Sequence, residues 1–279
     1  MMRPAAAIAE AFERACRDEL EAPKPGNVHV FAAGHAMTVE DFIRSARAAA
    51  PFIACQGAPV GRRILGAVEA TLAASHQNTN LGIVLLCAPL AAAAERNPRD
   101  LRAGVRDILA ALDRADACLA FEAIRRAAPG GLGEVRDHDV RSPARVSLLE
   151  AMVEAASRDR IARQYTTGFS DIFDVGLPAL QSLKRLHVDP RLATLGAYLR
   201  FLSAFPDTHI LRRQGQAIAQ ATQSTASIFH ERLSLASSLE ELQDELLAWD
   251  LALKSKGVNP GTSADLTVAT LFVSELQGI

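Results

Sequence analysis

Residues 101–112 read LRAGVRDILAAL, and in them Leu101, Val105, Ile108, Leu109 and Leu112 return at intervals of three and four. That spacing lays one apolar stripe along an α-helix and fits no strand, whose faces alternate every second residue. The same period recurs in Val39, Phe42, Ile43, Ala46 and Ala50, in Leu149, Met152, Val153 and Ala156, and in Leu266, Ala269, Phe272, Val273 and Leu276. Abundant alanine adds helix propensity and lets helices approach closely. Alternation of β-branched residues is nearly absent; Val28, Val30 and Phe31 make one short extended piece at most. The sequence therefore predicts an all-α protein, a single bundle of roughly ten helices at ~11–12 residues each with short connections.

Three connections are longer and richer in turn residues: residues 22–38 (APKPGNVHVFAAGHAMT), 128–143 (APGGLGEVRDHDVRSP) and 254–266 (KSKGVNPGTSADL). No linker, low-complexity tract or repeat divides the chain, so one domain over residues 1–279 is expected, with these loops as its working parts.

A formal net charge of −2 and 5% aromatic residues argue against a nucleic-acid surface. The longest apolar run, residues 81–94, contains Pro89 and falls short of the roughly 20 residues a membrane span needs. No targeting segment is apparent at the start, where Glu10, Glu13 and Arg14 interrupt any apolar stretch. Cys16, Cys55, Cys87 and Cys118 lie far apart without metal-finger spacing, and read as reduced, buried thiols of a cytoplasmic protein. Alanine-rich faces suit a homodimer and intramolecular packing alike.

Several segments carry chemistry-bearing residues. In Lys24-Pro25-Gly26-Asn27 the prolines stiffen a loop and Gly26 permits positive φ, which suits a phosphate; an ordinary turn explains it as well. Asn78-Thr79-Asn80-Leu81-Gly82 precedes an apolar helix, either as a cap or as an anion-attracting helix start. Thr262 and Asp265 are spaced like a capping box. Glu69, Asp116 and Asp159 fall on apolar stripes, where a carboxylate is costly unless a metal, an arginine or hydrogen bonds neutralise it. Such acids can build a magnesium site between helices or simply pair with arginines such as Arg163. Asp207-Thr208-His209 with Arg212 and Arg213 offers acid, imidazole and cations within two turns, although a helix cap and a structural histidine account for it too. His35 is open to the same structural explanation.

Taken in order, EAPKPGNV, EDFIRSA, Glu69 ahead of QNTNLG, DACLAFEAIRRAAPGGLG, DHDV, AASRDRIARQYTTGF, FPDTHILRRQG and NPGTSADLTVATLFV resemble the triphosphoribosyl-dephospho-CoA synthase family nearly end to end. The chain departs from the family's NTHKG-type segment at Asn80 and Leu81, and from its histidine-aspartate-methionine segment at residues 34–37. Its style is similar to the archaeal and methylotroph branch.

The resemblance implies an ATP- and Mg2+-dependent transferase. The 2′-hydroxyl of 3′-dephospho-CoA would attack the ribose anomeric carbon of ATP, adenine would leave, and the triphosphate would be retained. It further implies Glu69, Asp116 and Asp159 as magnesium or general-base carboxylates. Lys24, Gly26, Asn78, Thr79, Gly82 and Thr262 would be phosphate contacts. Asp139, Asp207 and His209 would serve nucleotide binding or proton transfer. A different acceptor, as in tetrahydromethanopterin synthesis, and a non-catalytic nucleotide-binding protein are the alternatives.

Overall fold

The computed structural model describes residues 3–130, 140, 142–186, 189–236 and 238–279. Among them fourteen α-helices and one π-helical turn appear, and no ladder of strands. The helices are α1 (Ala5–Glu21), α2 (Val39–Ile53), α3 (Val60–Ser75), α4 (Leu81–Arg96), α5 (Leu101–Ala110), α6 (Arg114–Ala127) and α7 (Leu148–Ala155). They continue as α8 (Arg160–Thr167), α9 (Leu177–Leu186), α10 (Pro190–Ala204), α11 (Thr208–Gln214), α12 (Gln216–Leu233), α13 (Glu240–Ser255) and α14 (Gly261–Gln277), with the π turn at Ile172–Gly176. The expected all-α class holds. The count exceeds the ten expected because side-chain caps start short helices at close intervals. Asp100, Asp113, Ser147, Asp159, Asp189 and Asp207 each accept a backbone N–H of the helix that follows.

The chain divides into two compact units. Unit 1 is Met1–Arg14, Asp41–Ser170 and Glu275–Gly278; unit 2 is Ala15–Glu40, Asp171–Ser274 and Ile279. In unit 1, α3 packs on α6 and α4, α4 on α5, and α7 on α8. Helix α4 is buried from Ile83 to Glu95, as expected of a helix apolar on all sides. Pro89 sits inside it and has no N–H for the carbonyl of Leu85 four residues back. The Tyr165 hydroxyl donates to that carbonyl at 2.6 Å instead. Burial raises the Tyr165 pKa, with Asp116 adding to the effect, so the phenol stays a donor. In unit 2, α10 packs on α9 and α12, and α11 on α12.

Three local expectations are corrected. The buried stripe of α7 is Leu148, Ala151 and Met152, while Val153 is 58% exposed, because the capping box of Ser147 and Glu150 sets the helix one residue earlier in register. The four cysteines are free, but only Cys16 and Cys87 are buried; Cys55 lies exposed between α2 and α3 and Cys118 on the outer side of α6. Thr262 does not cap α14, since that helix already begins at Gly261 and Asp207 serves its first turn. The extended piece around Val28 is present as two tight bridges, His29 with Ala32 and Gly34 with Met37.

Candidate active site

In unit 2 the loop after α1 is held at almost every peptide group. Lys24 is fully buried, and its Nζ donates to the carbonyls of Glu19 at 2.7 Å and Val28 at 2.8 Å while lying 3.2 Å from the Glu19 carboxylate. An ammonium has three N–H groups, and these contacts engage all of them. Burial lowers the Lys24 pKa and raises that of Glu19, and their mutual attraction opposes both shifts. Lys24 is therefore the staple that shapes the loop. The Pro25 carbonyl accepts from the Tyr198 hydroxyl at 2.7 Å, and the Gly26 carbonyl lies 2.8 Å from His35 Nε2. A carbonyl can only accept, so that imidazole nitrogen carries a proton.

Gly26 has φ +84, and its N–H donates to Asp250 Oδ1 at 2.8 Å. A methyl group at this position would come within 2.7 Å of the Pro260 ring and 3.1 Å of the Val258 carbonyl, so glycine is what lets the two loops touch. Asp250 also accepts from Lys254 Nζ at 2.9 Å. Burial alone would raise its pKa, but His29, Lys254 and the Gly26 amide together bring it below the usual carboxylate value. His29 is buried with both ring nitrogens lacking a hydrogen bond, its Nε2 approaching Asp250 to 3.4 Å. Burial lowers its pKa, and the neighbouring Asp250 opposes that shift.

The second wall of the same unit comes from the starts of α11 and α14. Asp207 is fully buried: Oδ1 accepts from the N–H groups of His209 and Ile210, and Oδ2 from the N–H and hydroxyl of Ser263. One carboxylate thus caps two helices. Its pKa is raised by burial despite those donors. Thr262 Oγ1 pairs with the Thr208 hydroxyl at 3.0 Å and accepts from His209 N at 3.1 Å. The His209 ring lies on Gly261, where any side chain would collide with it. Burial, reinforced by Arg212, Arg213 and His35, lowers the His209 pKa to about 4, leaving a neutral imidazole at ordinary pH. The two walls are joined by the Asn27 amide donating to Asn259 Oδ1 at 2.9 Å.

In unit 1 the anticipated residues occupy separate settings. Glu69 is exposed and paired with Arg126. Asp116 is buried; it accepts from Gly61 N at 2.7 Å and exchanges cap bonds with Asp113 at the start of α6. Asp159 caps α8 through Ile161 N and Ala162 N. The stripe reading of Asp159 fails because α7 ends at Ala155 and a new helix begins at Arg160. Among the described residues no group of three or more His, Cys, Asp and Glu is arranged to hold a metal ion, so these three do not form a preassembled magnesium cage. At the start of α4, Asn78 Oδ1 accepts from Leu81 N and the Thr79 hydroxyl donates to Ser45. Gly82 lies half-buried in the first turn of that helix. Asp139 lies outside the described residues.

Residues 5–279 match the model of the CitG family, ATP:dephospho-CoA triphosphoribosyl transferase. The chain belongs to this family. It is 27% identical over 216 residues to a Stutzerimonas stutzeri protein assigned as a 2-(5''-triphosphoribosyl)-3'-dephosphocoenzyme-A synthase. That alignment covers 76% of this chain and 65% of the relative, just under two thirds of its length. A crystal structure from Archaeoglobus fulgidus, assigned as a triphosphoribosyl-dephospho-CoA synthase, superposes with a TM-score of 0.65 at 25% identity. It covers 84% of this chain and 98% of that one.

Within this family member, the site in unit 2 includes residues that reading the sequence passed over. Asp250 follows Leu242 and Leu246 and precedes Leu253 on the buried stripe of α13, the same signal that marks Glu69 in the sequence. Glu19 likewise falls on the stripe of Phe12, Ala15, Cys16 and Leu20. Nothing local marks His29 or Tyr198, whose partners are supplied by distant parts of the chain.

Proposed function

We propose that this chain transfers the triphosphoribosyl group of ATP to the 2′-hydroxyl of 3′-dephospho-CoA and releases adenine. The observation that carries the proposal is the convergence in unit 2 of the Lys24–Asn27 loop, the Asp207–His209 helix start and the Asn259–Thr262 helix start around a neutral imidazole. These are three of the segments on which the family resemblance rests.

In the reaction the C1′–N9 bond of ATP breaks and a bond from the acceptor oxygen to C1′ forms. The acceptor hydroxyl gives up a proton, and the departing adenine takes one up. His209, neutral and half-buried, is the group proposed to receive the hydroxyl proton. Its backbone N–H is anchored twice, to Asp207 and Thr262, which fixes where the ring stands. Lys24 and Asp250 act at one remove by holding the Gly26 loop rigid, and such pre-organisation lowers the barrier of a two-substrate reaction.

Within unit 2, Thr262 in the first turn of α14 is a proposed phosphate contact, since helix N-termini favour anions. Magnesium enters this reading as the companion of the triphosphate, held mainly by phosphate oxygens with one or two carboxylates.

The test is to incubate the protein with ATP and magnesium, with and without 3′-dephospho-CoA, and to follow free adenine by chromatography. Acceptor-dependent adenine release supports the proposal. Adenine or phosphate release independent of the acceptor would assign another reaction, and no turnover with ligand-induced thermal stabilisation would assign a binding protein.

A further inference from the structure

Residues 34–37 close on themselves in a way their side chains do not favour. Gly34 and Met37 exchange backbone hydrogen bonds at 3.2 and 2.9 Å, and between them His35 and Ala36 both stand at positive φ, 54° and 60°. That is the pattern of a two-residue hairpin turn in which Asn-Gly is the favoured pair, and an alanine there is strained. Strain of this kind persists only where the surrounding structure enforces it, and it gathers where a side chain has to be aimed. Here the aimed side chain is the His35 imidazole.

The ring crosses to the Gly26 loop, where Nε2 donates to the Gly26 carbonyl at 2.8 Å. With Nε2 committed as a donor, Nδ1 is the atom left to take up or give away a proton. Gly26 in turn packs on Pro260, and the next residue, Gly261, carries the His209 ring. The two half-buried imidazoles therefore border one seam, close enough for His35 to contribute to the low proton affinity of His209. The other charged groups around the pair are Arg212 and Arg213 on α11, and Lys254 with Asp250 on α13, where Lys254 packs on Gly34. The two settings are unequal. A protonated His35 keeps a carbonyl acceptor at Nε2, whereas a protonated His209 meets two guanidinium groups. A proton shared by the two rings belongs on His35, and unequal surroundings of this kind divide acid from base.

We propose that His35 is the general acid of the site, delivering its Nδ1 proton to a ring nitrogen of the departing adenine. The assignment deepens the proposed function and rests on it. As the C1′–N9 bond breaks, its electron pair stays with adenine, the His35 proton makes the base neutral, and His209 takes the proton of the acceptor hydroxyl. Both rings return to their starting states by exchanging one proton with water.

The test follows base release from ATP and from 7-methyl-ATP, whose base already carries a positive charge and leaves neutral without a proton. His35→Gln keeps a donor for the Gly26 carbonyl but has no titratable proton to give. It should lower kcat for ATP about a hundredfold with KM changed less than about twofold, and lower kcat for 7-methyl-ATP by no more than about threefold. The fall of the wild-type rate on the alkaline side of its pH profile should be gone from the variant. His35→Asn, a side chain well suited to left-handed backbone, carries the same measurements where the glutamine variant does not fold. Equal losses with ATP and 7-methyl-ATP overturn the assignment, because His35 would then only brace the Gly26 loop. A variant of full activity or an alkaline fall that survives the substitution overturns it too, and the pH profile decides where the wild type does not accept 7-methyl-ATP. Wild-type protein that releases no adenine from ATP in the presence of 3′-dephospho-CoA removes the proposed function and the role of His35 together. Acceptor-dependent release with any of the contrary results removes the role of His35 alone.

Discussion

Asp159 in unit 1 and Asp207 in unit 2 are alike in sequence: each stands before a short helix, α8 or α11, and each accepts the N–H groups two and three residues on. Their settings differ. Asp159 is half-buried, and Oδ1 serves its own helix. Asp207 is sealed from solvent and adds Ser263, 56 residues away, to its partners. A local cap fixes where a helix begins; a shared cap also fixes which two helices begin together. The second kind is what a site built from separate loops requires.

Substitutions should separate the two. Asp207→Ala strips an acceptor from four donors at once and should cost about 5 kcal/mol by urea denaturation, given ~1–2 kcal/mol for each buried group left unsatisfied. A loss near 1 kcal/mol would reduce Asp207 to a cap of the Asp159 kind. Lys24→Ala leaves the Glu19 carboxylate buried without its cation, and about 4 kcal/mol should be lost. A folded Lys24→Ala protein of unchanged stability but weakened tripolyphosphate binding would return Lys24 to the phosphate role expected from sequence. Asp159→Ala should cost only about 1 kcal/mol, the ordinary value of an N-cap.

A further effect concerns pH. His209 titrates near 4 in the folded protein against a reference value of 6.5, so between these values the unfolded chain binds more protons. Stability must then rise with pH across that window and be lost as the pH falls through it. His209→Asn should flatten this slope by up to one proton, read from denaturation midpoints between pH 4.5 and 7. An unchanged slope would mean that the ring is not held neutral by its surroundings.

Much of this was legible in the residues. The stripes at Leu101–Leu112 and Leu266–Leu276 located α5 and α14, because periodicity over several turns is a local property. Asp207, His209, Gly26 and Thr262 were singled out from short motifs and do meet in unit 2. Glu69, Asp116 and Asp159 are met one by one by an arginine, a backbone amide and a helix start, partners that their stripes alone do not reveal. Lys24 shows where local reading stops: a lysine between prolines resembles a presented cation, and only the fold reveals Glu19 and Val28 beneath it. In α7 the Ser147 capping box, not apolar spacing, sets where the helix begins and shifts its buried stripe by one residue.

The proline of α4 has an implication for descent. Position 89 leaves an oxygen of the helix bare and position 165, 80 residues from that oxygen, covers it, so neither residue is independent of the other. An alanine at 89 would give the backbone its own bond again and make the phenol superfluous, whereas phenylalanine at 165 alone would strand the carbonyl in a dry interior. The two substitutions should prove far milder in combination than their separate costs add up to, and lineages that abandon one side of the arrangement should be found to have abandoned the other.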